Sequence, residues 1–78
     1  MIRAEYHAFH TIVFVNNLQV ATFFCGHMAD CMVMRLEVIR KLPPDEMVPA
    51  LVEEFGCCVE IATHLQVMFE DMQKETLQ

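Results

Sequence analysis

Seventy-eight residues carry eleven acidic and five basic side chains, a formal net charge of −6, which excludes the basic surface that a nucleic-acid-binding protein presents to phosphates. Hydrophobic residues make up 55% of the chain and charged residues 21%, a composition too apolar for intrinsic disorder. A small domain shields a limited share of its surface, so we expect part of this apolar surface to face a partner.

The N-terminal region contains no signal-peptide pattern, because Glu5 soon follows Arg3 and His10 precedes a short apolar run at 12–15. Four cysteines are present: Cys25, Cys31, Cys57 and Cys58. Without a secretory context an even cysteine count does not indicate disulfides. We predict reduced thiols and a cytoplasmic protein.

The stretch from Tyr6 to Ala29 has no Asp, Glu, Lys or Arg and is long enough to span a bilayer. However, Asn16, Asn17 and Gln19 would lie near its middle, where polar side chains are costly. We therefore predict no membrane span.

Residues 5–15 and 18–25 are rich in β-branched and aromatic side chains and flank Asn16-Asn17, which suits a tight turn. This pattern predicts a β-hairpin over 5–25. A two-residue turn predicts four cross-strand pairs on one face: Val15 with Leu18, Val13 with Val20, Thr11 with Thr22, and Phe9 with Phe24.

The second face of this hairpin is also mostly apolar. It is predicted to carry Tyr6, Ala8, His10, Ile12, Phe14, Ala21, Phe23 and Cys25. Since one layer of helices covers one face, the other is predicted to form a dimer interface or a partner's contact surface. Its candidate contacts are Ile12, Phe14 and Phe23.

The segment 28–42 has two readings. Helical spacing of Met28, Met32, Leu36 and Ile39 predicts a helix. Period-two alternation of apolar residues from 32 to 38 fits a third strand instead.

The start of the next helix is predicted at Pro44-Asp45-Glu46, a proline followed by acidic residues. Gly56 suits a left-handed C-terminal cap or an internal kink. The apolar stripe predicted between them is Met47, Val48, Leu51, Val52 and Phe55.

From Cys57 onward the pattern predicts an amphipathic terminal helix, with polar residues 74–78 fraying. Its apolar stripe is Cys58, Ile61, Ala62, Leu65, Met68, Phe69 and Met72. Met68, Phe69 and Met72 are further candidate contacts. Cys58 is predicted to be core and Cys57 the more exposed thiol.

Potential zinc ligands cluster in sequence at His7, His10, Cys25, His27 and Cys31. Their spacing does not match a structural zinc site, and on one strand His7 and His10 would point to opposite faces. His10 and Cys25 are instead predicted to be buried or half-buried packing residues, and no metal or other cofactor is predicted.

Catalysis is not predicted either. The chain has no serine, and its four histidines stand in no recognisable frame around a nucleophile. Its two glycines, Gly26 and Gly56, form neither a P-loop nor a dinucleotide fingerprint.

An acidic group, Asp45, Glu46, Glu53 and Glu54, has two interpretations. It is a solvated helical face, or it competes for a basic, nucleic-acid-binding surface on another protein.

The sequence thus predicts one α+β domain over 1–78, with a hairpin at 5–25 and two or three helices over 28–75. We expect a homodimeric regulatory or adaptor protein that binds other proteins. The alternatives are an acidic inhibitor of the phage or mobile-element type, and a small Cys/His metal-binding protein.

Overall fold

The structure is a computed structural model that describes the backbone of residues 1–77 and the side chains of residues 1–74. Its α+β architecture, an antiparallel sheet followed by helices, confirms the predicted fold class. The elements in chain order are β1 Ile2–Tyr6, β2 Thr11–Val15, β3 Leu18–Phe23, α1 Gly26–Ile39, α2 Pro44–Phe55 and α3 Val59–Leu77. The chain divides into two compact units, Met1–Glu37 and Val38–Gln78. The first is called the sheet unit below and the second the helical unit.

The sheet has the order β1-β2-β3, and both pairs of neighbouring strands are antiparallel. The predicted hairpin is therefore incomplete, because a third strand, β1, precedes it. The strand expected from residue 5 to residue 15 is interrupted by a turn in which the His7 amide donates to the His10 carbonyl at 2.8 Å. That turn contains none of the Gly, Pro, Asn or Asp residues that normally mark one.

The turn between β2 and β3 is at Asn16-Asn17, as predicted. Asn16 has a positive φ of 55°, a conformation that asparagine tolerates better than most residues. Its side-chain oxygen accepts a hydrogen bond from the N-terminal ammonium group of Met1. The Asn16 amide donates to the Met1 carbonyl at 2.7 Å, so the turn is tied to the start of β1.

The register of β2 and β3 is as predicted only next to the turn, where Val15 pairs with Leu18. A β-bulge follows, because Phe14 pairs with Gln19 but Val13 pairs with Ala21. The other predicted pairs, Val13 with Val20, Thr11 with Thr22 and Phe9 with Phe24, are wrong. Beyond the bulge every β3 side chain lies on the opposite face from the one predicted.

One sheet face, called the covered face below, contains Thr11, Val13 and Val15, which are 4%, 0% and 0% exposed. The start of α1 lies against this side, because a Cβ on Gly26 would be 3.3 Å from the Tyr6 ring. Tyr6 also donates a hydrogen bond from its hydroxyl to Asp30 of α1. Segment 28–42 is helical as far as Ile39, as part of α1, and is not a third strand.

In the helical unit, α2 begins at Pro44 and ends at Phe55, and Gly56 is its C-terminal cap. Gly56 has φ 65° and ψ 20°, and its amide donates to the Val52 carbonyl at 2.9 Å, which confirms the predicted left-handed cap. Helix α2 packs against α3. Among the described side chains of these two helices, Met47, Leu51, Ala62 and Phe69 are fully buried.

The two adjacent cysteines are placed the opposite way from the prediction. Cys57 is half-buried, its Sγ lies 3.5 Å from the Leu51 carbonyl oxygen, and burial raises the pKa of its thiol. Cys58 is exposed. Both residues precede the first residue of α3, so the helical spacing used to place Cys58 in the core does not apply to it.

The apolar stripe of α3 is narrower than predicted. Ala62, Leu65 and Phe69 are buried, whereas Ile61 is 48% exposed. Within residues 1–77, no helix combines the length and the apolar character needed to cross a membrane.

Candidate interaction surface

The sheet face opposite the covered face is the candidate site and is called the open face below. Residues directly opposite each other in an antiparallel pair share a face, and the register assigns six residues to this one: Arg3, Glu5, Ile12, Phe14, Gln19 and Thr22. Two apolar side chains on the central strand are thus flanked by polar side chains on both edge strands.

Ile12 and Phe14 are half-buried, in contrast to the fully buried Val13 and Val15 between and beside them. The Arg3 guanidinium carbon lies 4.3 Å from the centroid of the Phe14 ring, a cation–π contact. The chain therefore covers Phe14 partly with a charged side chain, and leaves the rest of the ring accessible.

Arg3 is itself held by Glu5. Its Nη1 donates to Glu5 Oε2 at 2.7 Å, and the two side chains are 40% and 45% exposed. The hydrogen bond from Arg3 lowers the pKa of Glu5, and a second one from His7 adds to this, although partial desolvation opposes both. The guanidinium over Phe14 thus has a fixed partner.

His7, in the β1–β2 turn, adds a third polar side chain to the Arg3–Glu5 pair. Its Nε2 lies 3.0 Å from Glu5 Oε1, and its ring stacks on His10 with centroids 4.8 Å apart and an interplanar angle of 16°. The prediction that His7 and His10 point to opposite faces of one strand is wrong, because the turn brings the two rings together.

The predicted contact residues do not form one surface. Ile12 and Phe14 share the open face, but Phe23 pairs with Thr11 and so belongs to the covered face. Because the bulge adds one residue to β3, it reverses the face of every residue after it. Phe23 is half-buried there.

The contacts predicted on α3 also separate. Met68 and Met72 are half-buried, whereas Phe69 is 0% exposed and is a core residue of the folded chain. A helical stripe marks the apolar side of a helix, but it does not distinguish residues at the centre of that side from those at its margins.

Two aromatic side chains missed as surface residues lie at one end of the sheet. Phe9 is in the β1–β2 turn and Phe24 directly follows β3, and they are 86% and 97% exposed. The sequence pattern predicted that Phe9 and Phe24 pair across the hairpin, and so it did not indicate that both are exposed. Arg3 and Glu5 were missed too, although they alternate with Ile2, Ala4 and Tyr6 at the period of a strand.

The four residues of the predicted acidic group all lie on α2, two in its first turn and two near its end. Asp45, Glu46, Glu53 and Glu54 are all exposed, whereas Met47 and Leu51 of the same helix are buried. Asp45 and Glu46 occupy its first turn, where carboxylates interact favourably with the helix dipole.

The residues considered as zinc ligands are only partly brought together. His27 Nε2 and Cys31 Sγ are 3.7 Å apart, one turn from each other on α1. Cys25 is exposed, which contradicts its predicted packing role, whereas His10 is half-buried as expected. In the part of the chain that the structure describes, no group of three or more His, Cys, Asp or Glu side chains could hold a metal ion.

Comparison of the chain with protein-family models, with curated proteins and with solved structures found no match in any of the three.

Proposed function

We propose that this chain is a small cytoplasmic regulatory or adaptor protein that acts by binding proteins, as a homodimer and without catalysis. The observation that carries this proposal is the open face, where Ile12 and Phe14 are only half-buried at the centre of the sheet. Its partners are a second copy of the chain and a further protein, and neither nucleic acid nor membrane is a direct target.

The composition of the open face is that of an interface. Protein interfaces have an apolar or aromatic centre and a polar rim, and they are enriched in arginine. Here Ile12 and Phe14 form the centre, and the rim is Arg3, Glu5, Gln19 and Thr22. The bond from Arg3 to Glu5 fixes the guanidinium before a partner arrives, which lowers the entropy lost on binding.

The test is the solution molar mass, measured by light scattering during size exclusion with reductant present. We expect twice the mass of the chain at low micromolar concentration. If the open face is the dimer contact, Phe14→Ala removes its central ring and should raise the dissociation constant about tenfold or more, as truncation of an interface aromatic does. Phe9→Ala is the matched control, because it makes the same change at an exposed ring outside the open face.

A single-chain mass for the wild type at every accessible concentration would overturn the homodimer. If Phe14→Ala leaves the dimer unchanged, the open face is not the dimer contact.

A second candidate function is supported by the exposure of all four acidic residues on α2. In this case the chain is an inhibitor that blocks a basic, nucleic-acid-binding surface of another protein. Salt separates the two functions, because binding dominated by charge weakens steeply between about 0.05 M and about 0.5 M salt, whereas an apolar interface does not. The probe is a set of purified basic DNA-binding proteins, and loss of binding in Glu46→Gln/Glu53→Gln would favour inhibition.

A further inference from the structure

The two outer strands of the sheet differ in how their free edges are protected. Natural proteins guard exposed edge strands with charged residues or proline. β1 carries Arg3 and Glu5, whereas β3, Leu18-Gln19-Val20-Ala21-Thr22-Phe23, has neither a charge nor a proline. β3 is also the more exposed strand, with Leu18, Gln19 and Thr22 all exposed.

The outward-facing backbone groups of β3 follow from its register. Val15 and Leu18 close a two-residue turn, so they exchange hydrogen bonds with each other. The alternate residues of β2, Val13 and Thr11, likewise direct their N–H and C=O groups towards β3. The β3 residues paired with the intervening positions, Gln19 and Thr22, therefore direct their N–H and C=O groups away from β2.

We propose that β3 of one copy pairs antiparallel with β3 of a second copy, with Gln19 opposite the partner's Thr22 and Thr22 opposite the partner's Gln19. This inference rests on the homodimer proposed above but places its contact on the β3 edge in place of the open face, since Phe14 lies on the central strand. The open face is then left for the further protein, and Phe14→Ala should leave the dimer intact. The product is one continuous sheet of six strands, three from each copy.

The bulge favours a second copy over any other strand. Gln19 and Thr22, the two outward-facing residues, are separated by three positions because Val20 is the extra residue in the ladder. In a regular strand, successive outward-facing residues are two positions apart. The N–H and C=O groups of such a strand could therefore align with Gln19 or with Thr22, but not with both. A two-fold related β3 contains the same bulge, and its outward groups have the same spacing.

The side chains in this register also match. Leu18 lies opposite the partner's Phe23, both on the covered face, and Gln19 lies opposite the partner's Thr22, both on the open face. Gln19 Nε2 already bonds Thr22 Oγ1 within the chain at 3.0 Å, so the same groups can bond across the dimer. Since each copy carries a net charge of −6, an uncharged edge lets two copies meet without like charges in contact.

The test is a charge exchange on the outward positions, read by light scattering and by native mass spectrometry of mixtures. Gln19→Lys/Thr22→Lys places like charges opposite each other and should raise the dissociation constant about tenfold. Gln19→Glu/Thr22→Glu should do the same. An equimolar mixture of the two variants should restore a one-to-one heterodimer, which also shows that both variants are folded.

The outcomes separate this contact from the homodimer proposal. If the wild type is a dimer and both charged variants remain dimers with no preference for each other, the β3 contact is wrong while the homodimer stands. A dimer lost in both variants and not restored on mixing also overturns it. A wild type that is monomeric throughout would overturn both proposals.

Discussion

The open face of the sheet and the apolar stripe of α3 each contain a phenylalanine predicted to contact a partner, but the two side chains differ in how deeply they are buried. Phe69 on α3 is 0% exposed, whereas Phe14 on β2 is half-buried and lies under the Arg3 guanidinium. The two side chains belong to different units of the chain. Residue type alone did not distinguish a core ring from a surface ring.

What distinguishes them is the surroundings of each ring. Phe69 is one of a row of buried residues on α3, with Ala62 and Leu65. Phe14 has polar residues opposite it on both sides, Arg3 on β1 and Gln19 on β3. A large apolar residue whose cross-strand neighbours are polar has no apolar cover from its own sheet, so it is a better candidate for a contact.

The largest effect expected from this comparison is that of Phe69→Ala. Removing a fully buried ring should lower the free energy of unfolding by about 3–5 kcal/mol, a large part of the stability of a small domain. Urea unfolding followed by circular dichroism measures it, and Phe69→Leu is the control that keeps most of the volume. A loss below about 1 kcal/mol would show that Phe69 is not a core residue.

Phe14→Ala should cost far less, about 1 kcal/mol, because the ring is only half-buried and its contact with Arg3 is a surface cation–π pair. The measurement must be made at a protein concentration below the dissociation constant, since a dimer stabilises the folded state by mass action. At higher concentration the cost should increase if the open face is the dimer contact, and should stay the same if the contact is the β3 edge. An equal cost at all concentrations would mean that Phe14 is not part of the dimer contact.

The helical half of the fold was largely predictable from sequence. Pro44 with Asp45 and Glu46 fixed the start of α2, and Gly56 fixed its end, because each signal is local and has a direct steric or electrostatic cause. Cys58 was misplaced because the helical spacing was extended to the residue before the start of α3.

The sheet was less predictable for two physical reasons. The turn at 7–10 lacks turn residues, so β1 and β2 were merged into one strand. The bulge at Val20 leaves no trace in the composition of β3, yet it moved Phe23 away from the face of Ile12 and Phe14. A register error of one residue therefore changed the membership of the candidate site without changing the predicted fold class.

The smallest expected effect concerns Glu5. Its ion pair with Arg3 should contribute little to stability, because both side chains are well exposed. Its folded-state pKa lies below the ordinary value of 4.5. The carboxylate's contribution is therefore present above that value and is lost as the pH falls through the folded-state pKa. Wild type and Glu5→Gln should differ in free energy of unfolding at neutral pH, and the difference should vanish in acid.

The cause of the shift is tested by carbon NMR titration of the Glu5 carboxyl group. Arg3→Gln removes the largest cause and should raise the pKa of Glu5 towards its ordinary value, and His7→Gln should raise it less. If Arg3→Gln leaves the titration unchanged, the guanidinium does not rest on Glu5 in solution. Arg3 would then be free to leave Phe14, and the open face would lack the fixed rim on which its role as a contact surface depends.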